Sequence, residues 1–374
     1  MKRVLAIFGT RPEAVKMAPV IMALQKCPEI DTRVCITAQH REMLDQVLSL
    51  FDIHPDIDLD LMRPNQSLAE LTAGIFTHLD PVLKAEQPDW VLVQGDTTTV
   101  MAAALVCYYN QIRVGHVEAG LRTHDKWQPF PEEINRRIAG VCADLHFAPT
   151  ANSRQNLLDE GVPERAILVT GNPVIDALNE IVRRPAPPEA QELLDRLGIH
   201  PGGKELVLIT AHRRENFGQP LENICLALRT LAEAYPQRLE LVYPVHLNPN
   251  VQETVYKQLG QTPNITLLKP LEYLLLVHLM KNSTLVLTDS GGIQEEATSL
   301  GKPTLVLRNV TERPEGVEAG VLKLVGADPQ VIVGEARRLL EDPAAYQAMA
   351  NAKNPFGDGH ASERIVQAIL DFKE

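Results

Sequence analysis

The sequence has no pair of cysteines at C-x-x-C spacing. Cys27, Cys35, Cys107, Cys142 and Cys225 are scattered and odd in number. That argues against a disulfide framework or a cysteine-held zinc and fits reduced thiols in a cytosolic protein. No apolar stretch approaches the length of a membrane span. The run Val4–Phe8 is too short for a signal-peptide core and suits a first strand. G-x-G-x-x-G is missing after that run, and G-x-x-x-x-G-K-[ST] is missing throughout. Dinucleotide-binding and ATP-hydrolysing readings lose support accordingly. No His, Asp and Glu grouping has convincing metal-ligand spacing, so neither a metal nor an organic cofactor is expected. Basic residues are outnumbered, 36 against 48, for a net charge of −12. A surface of that sign disfavours nucleic acid and anionic lipid as partners, although arginines in a cleft can still bind a small anion.

The chain has 374 residues, 45% hydrophobic and 22% charged. That length suits two domains, each with its own core. Short runs rich in Val, Ile and Leu alternate with helical patterns. The first series is Val4–Phe8, Thr32–Thr37, Trp90–Gln94, Val114–Val117, Leu145–Ala148 and Ile167–Thr170. The second is Leu206–Thr210, Leu239–Pro244, Ile265–Leu268, Leu285–Thr288, Thr304–Leu307 and Leu322–Val325. Runs apolar throughout, each followed by a helix, predict parallel sheets covered on both faces. RRPAPP at Arg183–Pro188 breaks the pattern. The expectation is an α/β protein of two doubly wound, Rossmann-like domains, 1–182 and 183–360. A last helix, about 361–374, is expected to return to the first domain.

The polar clusters follow strands, where ligands of such sheets bind. In DSGGIQEE, Asp289 and Ser290 end a strand while Gly291 and Gly292 open a helix, so a phosphate can approach free backbone N–H groups. Glu295 and Glu296 lie one turn on, placed for ribose hydroxyls. The plainer reading is an N-capped helix with acidic residues near its dipole. In GTRPE, Arg11 offers a fork to a phosphate and Lys16 lies one turn further. Arg313 in TERPEG is a third candidate phosphate ligand. Asp96, Glu118, Glu132 and His212 are the acid/base candidates. Their ordinary alternatives are a helix N-cap for Asp96, a salt bridge to Arg122 for Glu118, a first-turn acid for Glu132 and a structural hydrogen bond for His212. Three carboxylates and a histidine at separate strand ends favour catalysis.

The strings GTRPEAVKMAP, TAQHREMLDQV, QGDTTT, GHVEAGLRT, FPEEINR, TGNPVIDAL, TAHRREN, YPVHLNPN, LTDSGGIQEEATSLGKP and TERPEG occur in that order from end to end. Together they resemble the non-hydrolysing UDP-N-acetylglucosamine (UDP-GlcNAc) 2-epimerases. The resemblance implies a GT-B arrangement with an interdomain active-site cleft, cytoplasmic homodimers, and supply of N-acetylmannosamine (ManNAc) for surface polysaccharide. It implies reversible conversion of UDP-GlcNAc to UDP-ManNAc by loss and re-addition of UDP through 2-acetamidoglucal. Neighbouring readings are an epimerase of the same fold acting on a modified UDP-sugar, such as a diacetamido-uronic acid, and a hydrolysing epimerase.

By the same resemblance, Asp96, Glu118, Glu132 and His212 are catalytic. Arg11, Lys16, Ser290, Gly291, Gly292, Glu296 and Arg313 bind the UDP-sugar. Gln39, Gln66, Arg213 and His246 bind a second UDP-GlcNAc as an allosteric activator, with Glu132 contributing. Glu42 stands where some relatives have glutamine, Asn65 where some have arginine, and Leu276 where phenylalanine is frequent.

Overall fold

A computed structural model describes residues 1–37, 41–63 and 66–373, without the side chains of Arg41 and Glu42. The chain divides into two compact units. Met1–Asn179 with Phe356–Glu374 forms the first, and Glu180–Pro355 the second.

The first unit carries strands β1 (Lys2–Phe8), β2 (Ile30–Ile36), β3 (Ile57–Asp58), β4 (Trp90–Gln94), β5 (Arg113–Val117), β6 (Leu145–Ala148) and β7 (Ile167–Val169). They pair in the order β3-β2-β1-β4-β5-β6-β7. The second unit carries β8 (Glu205–Thr210), β9 (Leu239–Pro244), β10 (Ile265–Leu268), β11 (Ser283–Thr288), β12 (Thr304–Val306) and β13 (Leu322–Leu324). Their order is β10-β9-β8-β11-β12-β13. The pairings are parallel, as the helix between successive strands requires. Both sheets therefore use the same winding: outward from the first strand, then back across it. β3 escaped the sequence reading because two residues, one of them Asp58, make no apolar run.

Burial on both faces explains the uninterrupted apolar runs. Along β8, Val207 and Ile209 join one core with Leu241, Leu285 and Leu305. Leu206 and Leu208 serve smaller clusters with Leu279 and with Met280 and Val286. In the first unit Leu5, Ile7, Val91 and Val93 pack with Leu79, Leu83, Val100 and Val106. Fully burying one such side chain stabilises by about 1.5–3 kcal/mol.

The units meet along the chain at 179/180 and 355/356 rather than at 182/183 and 360/361. The first crossing lies inside the helix Pro173–Arg183, and the proline-rich stretch follows it. The second comes early because Phe356 is already buried in the first unit, its carbonyl accepting from Asn172 N at 2.8 Å.

The helix Ala361–Asp371 packs on the helix Arg11–Gln25 of the first unit, and both its ends are pinned there. His360 provides no side-chain cap, so Asp176 accepts from Ala361 N (3.2 Å) and Ser362 N (2.8 Å) instead. Lys2 Nζ donates to the carbonyls of Ile369 (2.7 Å) and Leu370 (3.0 Å) at the other end. Phe372 meets Trp90 edge-on at 4.9 Å. Among the described residues no helix is long and apolar enough to cross a membrane.

Candidate functional site

Strand order reverses between β1 and β4 in one sheet and between β8 and β11 in the other. Beyond the carboxyl ends of such strands an α/β sheet opens a ligand crevice. Asp96, Glu118, His212, Arg213, His246 and Ser290 lie just beyond strand ends, while Arg11, Lys16, Glu132, Gly291, Gly292 and Glu296 lie in helices.

In the first unit the helix Arg11–Gln25 begins with a capping box. Thr10 caps Glu13 N, and Glu13 Oε2 accepts from Thr10 N (2.7 Å) and Gly9 N (3.0 Å). Glu13 Oε1 accepts from Thr97 Oγ1 at 2.7 Å, tying the loop after β1 to the loop after β4. Burial raises the Glu13 pKa despite these bonds. Arg11 opens the helix half-buried, and Lys16 follows one turn later.

Lys16 reaches Glu118. Its ammonium donates to both carboxylate oxygens at 2.6 Å. Gln94 Nε2 donates to Oε2 and Asn172 Nδ2 to Oε1, the latter at 2.8 Å. Glu118 is thus an almost buried anion ringed by donors, at a backbone φ of +63°, a region seldom used by residues with a Cβ. Gly95 beside it is also left-handed (φ +80°), and a Cβ there would stand 3.5 Å from Oε2. Arg122 is not the partner of Glu118; it forks onto Glu160 at 2.8 and 2.6 Å.

Asp96 does not cap the helix Thr98–Tyr109, because Thr97 does. Its carboxylate is 27% exposed and pairs with Arg136. Glu132 and Glu133 both open the helix Glu132–Cys142 but differ in role. Glu133 is buried, receiving Thr123 N, His124 N and Arg136 Nη1, whereas Glu132 is half-buried. His116 Nε2 bonds Gly95 O at 2.7 Å. Burial pushes its pKa down to about 4, so it donates as a neutral ring. Gln66 and Arg63 exchange backbone and side-chain bonds at 3.3 Å beside a cavity of about 460 Å³ lined by Leu59, Leu61 and His78. Gln39 and Asn65 lie outside the described residues, as does the Glu42 side chain.

In the second unit Asp289 organises the site. It is fully buried, and Oδ2 accepts from His212 N (2.8 Å), Arg213 N (2.8 Å) and Asn216 Nδ2 (3.0 Å). His212 Nδ1 lies 3.7 Å from Oδ1. Burial lowers the His212 pKa, with Asp289 working against the shift and Arg213 adding to it. The His212 ring stacks on His246 at 5.2 Å, so these two residues adjoin. His246 Nδ1 accepts from Asn248 N at 3.1 Å, which leaves the other ring nitrogen to carry the proton.

Ser290 precedes the helix Gly291–Ser299, but its side chain makes no cap bond. The first N–H groups are therefore not spent on it. Gly291 is required by Arg313: a Cβ there would come 2.6 Å from Nη1. Arg313 Nε donates to Glu295 Oε1 at 2.5 Å, and Tyr273 OH to Glu296 Oε1 at 2.5 Å. Gly292 faces Glu296 at ordinary contact distance. Buried Glu312 would rise in pKa by desolvation alone, yet Arg213, Arg308 and Arg313 bring it down to about 2. Leu276 packs beside Met280 and Ile293 in a small apolar cluster.

Sequence reasoning missed Glu13, Asn172, Arg136, Tyr273 and Glu312, and treated Asp289 only as a strand end. Glu13 was findable, since Thr10 and a glutamate three residues on form a capping-box signature. Among the described residues no group of three or more His, Cys, Asp or Glu is arranged to hold a metal.

Replacing Glu13 by Ala orphans one buried donor, Gly9 N, and two part-buried ones that water can partly satisfy; a buried orphan costs about 1–3 kcal/mol. The expected loss is roughly 2–5 kcal/mol in the first unit. Both tryptophans, Trp90 and Trp127, lie in that unit, so urea unfolding followed by tryptophan fluorescence reports it. An unchanged midpoint would refute the role given to Glu13.

The profile of the family described as UDP-N-acetylglucosamine 2-epimerase matches residues 22–370. The chain is 53% identical to the UDP-N-acetylglucosamine 2-epimerase of Salmonella typhimurium, over 99% of each chain. The crystal structure of the Neisseria meningitidis UDP-GlcNAc 2-epimerase bound to UDP-GlcNAc superposes with a TM-score of 0.95 at 51% identity, covering 99% of this chain and 100% of that one. The S. aureus MnaA–UDP co-structure gives 0.91 at 48% identity, covering 99% and 96%. Profile, identity and fold agree that this chain belongs to the UDP-N-acetylglucosamine 2-epimerase family.

Proposed function

We propose that this chain interconverts UDP-GlcNAc and UDP-ManNAc by eliminating UDP to give 2-acetamidoglucal and adding it back. The observation that carries this reading is the Glu118 carboxylate, buried at a switch-point strand end and held by Lys16, Gln94 and Asn172. Elimination removes the C2 proton and breaks the C1–O bond, and the bonding electrons leave with the diphosphate. Inversion at C2 requires the proton to return on the opposite face, which calls for at least two positioned groups. Asp96, Glu118 and Glu132, at the ends of β4 and β5 and at the start of a nearby helix, supply candidates for both. In this reading those carboxylates handle the proton. Arg11, Lys16, Arg313, His212 and the N–H groups of Ser290–Gly292 are the groups assigned to the diphosphate. Glu296, oriented by Tyr273, takes the ribose.

Proton NMR of UDP-GlcNAc with the enzyme in deuterated water is the direct test. Deuterium should appear at C2 in both epimers. Asp96→Asn, Glu118→Gln and Glu132→Gln should each cut turnover by about a hundredfold or more while UDP still binds. Near-wild-type turnover in all three would refute the assignment, and free ManNAc as the main product would indicate hydrolysis.

A second UDP-GlcNAc acting as activator involves Gln39, Gln66, Arg213 and His246 in this proposal. Its support is that His246 stacks on His212 and Arg213 bears on Glu312 beside Arg313. Arg213→Ala or His246→Ala should flatten sigmoidal kinetics; retained sigmoidality would remove the assignment.

The homodimer is likewise proposed. Tyr108 and Tyr109, 66% and 67% exposed, offer an aromatic surface for a second copy. Light scattering should return about twice 41.4 kDa, and a monomer mass would contradict it.

A further inference from the structure

Asn172 belongs to TGNP, a stretch that carries none of the catalytic or binding residues expected from sequence. It is fully buried and bonded in three directions. Its Oδ1 accepts from Val174 N at 3.3 Å, which turns the amide so that Nδ2 donates to Glu118 Oε1 at 2.8 Å. Its backbone N–H donates to Phe356 O at 2.8 Å, the first residue of the segment that returns to this unit. The two strands of chain are pressed together at that point. Gly171 (φ +84°) and Gly357 (φ +136°) interleave, and a Cβ on Gly357 would stand 3.2 Å from Gly171 Cα and 3.3 Å from Asn172 N. The contact leaves little room for a side chain on either glycine.

We propose that Asn172 is a positioning residue for the epimerisation, holding Glu118 in its reactive orientation and itself held by the returning segment at Phe356–Gly357. The proposal rests on the reading that Glu118 handles the C2 proton. The chemistry of the donor explains why an amide is used. Lys16 neutralises Glu118, sits on a long flexible stem and is also a candidate for the diphosphate. An amide adds no charge and has no proton to lose, so it fixes one carboxylate oxygen without changing the ionic state of the site. Gln94 does the same for the other oxygen from β4. Gln94 is set by the sheet, whereas Asn172 is set by a contact between segments far apart in sequence.

Asn172→Asp is the discriminating variant, since it keeps the shape and puts a second carboxylate against Glu118, beside the Lys16 ammonium that already bonds both Glu118 oxygens. Expected is a drop in kcat for C2 deuterium exchange of about 10- to 100-fold with KM within about threefold. The acid limb of its kcat–pH profile should move to higher pH, because two adjacent carboxylates share a proton. Asn172→Ala should lose kcat with a smaller displacement of that limb, since it removes a donor but adds no charge. Gly357→Ala, which crowds the anchor from the far side, should lower kcat likewise, and its loss should not add to that of Asn172→Ala. It also stands as the test if Asn172→Asp does not fold. Wild-type kcat and pH profile in Asn172→Asp, beside an inactive Glu118→Gln, would overturn the proposal while sparing the role of Glu118. Full exchange by Glu118→Gln would remove that role and the proposal with it.

Discussion

A parallel strand has no hairpin to follow it; the chain must recross the sheet before the next strand can start. Here helices do most of that work, so the sheets are covered on both faces and most of their buried positions are apolar. All strands of a sheet then finish on one edge. Polar groups that need partial burial collect in the loops at that edge, and the reversal of strand order parts those loops. Placement of Asp96, Glu118, His212 and Asp289 follows from this constraint before any side-chain chemistry is considered.

Charge is managed locally within it. The chain is acidic overall, yet several of its buried ions have close partners: Glu118 with Lys16, Glu295 with Arg313, and Arg308 with Glu312. Removing either partner from such a pair leaves a desolvated ion, a loss of about 3–5 kcal/mol. These pairs therefore hold loops in shape as well as supplying ionic groups. Asp289 shows the same economy without a close cation, binding three N–H donors to fix the chain after β8.

The sheets were legible in the sequence because central strands such as Trp90–Gln94 and Leu206–Thr210 are apolar on both faces. The polar edge was legible because its residues come in short runs directly after those strands. What could not be read was how side chains pair across long separations. Asn172 meets Glu118 and Phe356, and Arg136 meets Asp96, with no periodic signal linking them. Arg122 lay nearer to Glu118 in sequence than Lys16 did, but it points to Glu160. The unit boundary was misplaced by a few residues for a related reason. Proline resists helix, but the helix Pro173–Arg183 had already carried the chain across.

The return of the last helix bears on the order in which the protein is made. The first unit starts before the second, but Lys2 has no helix end to cap, Trp90 no Phe372 to pack on, and Asn172 no Phe356 carbonyl to bond, until residues 356–372 are synthesised. Translation at about 5–20 residues per second places the whole second unit, on the order of ten seconds of elongation, before that event. Of the two units, the one that starts to emerge first is thus completed after the other.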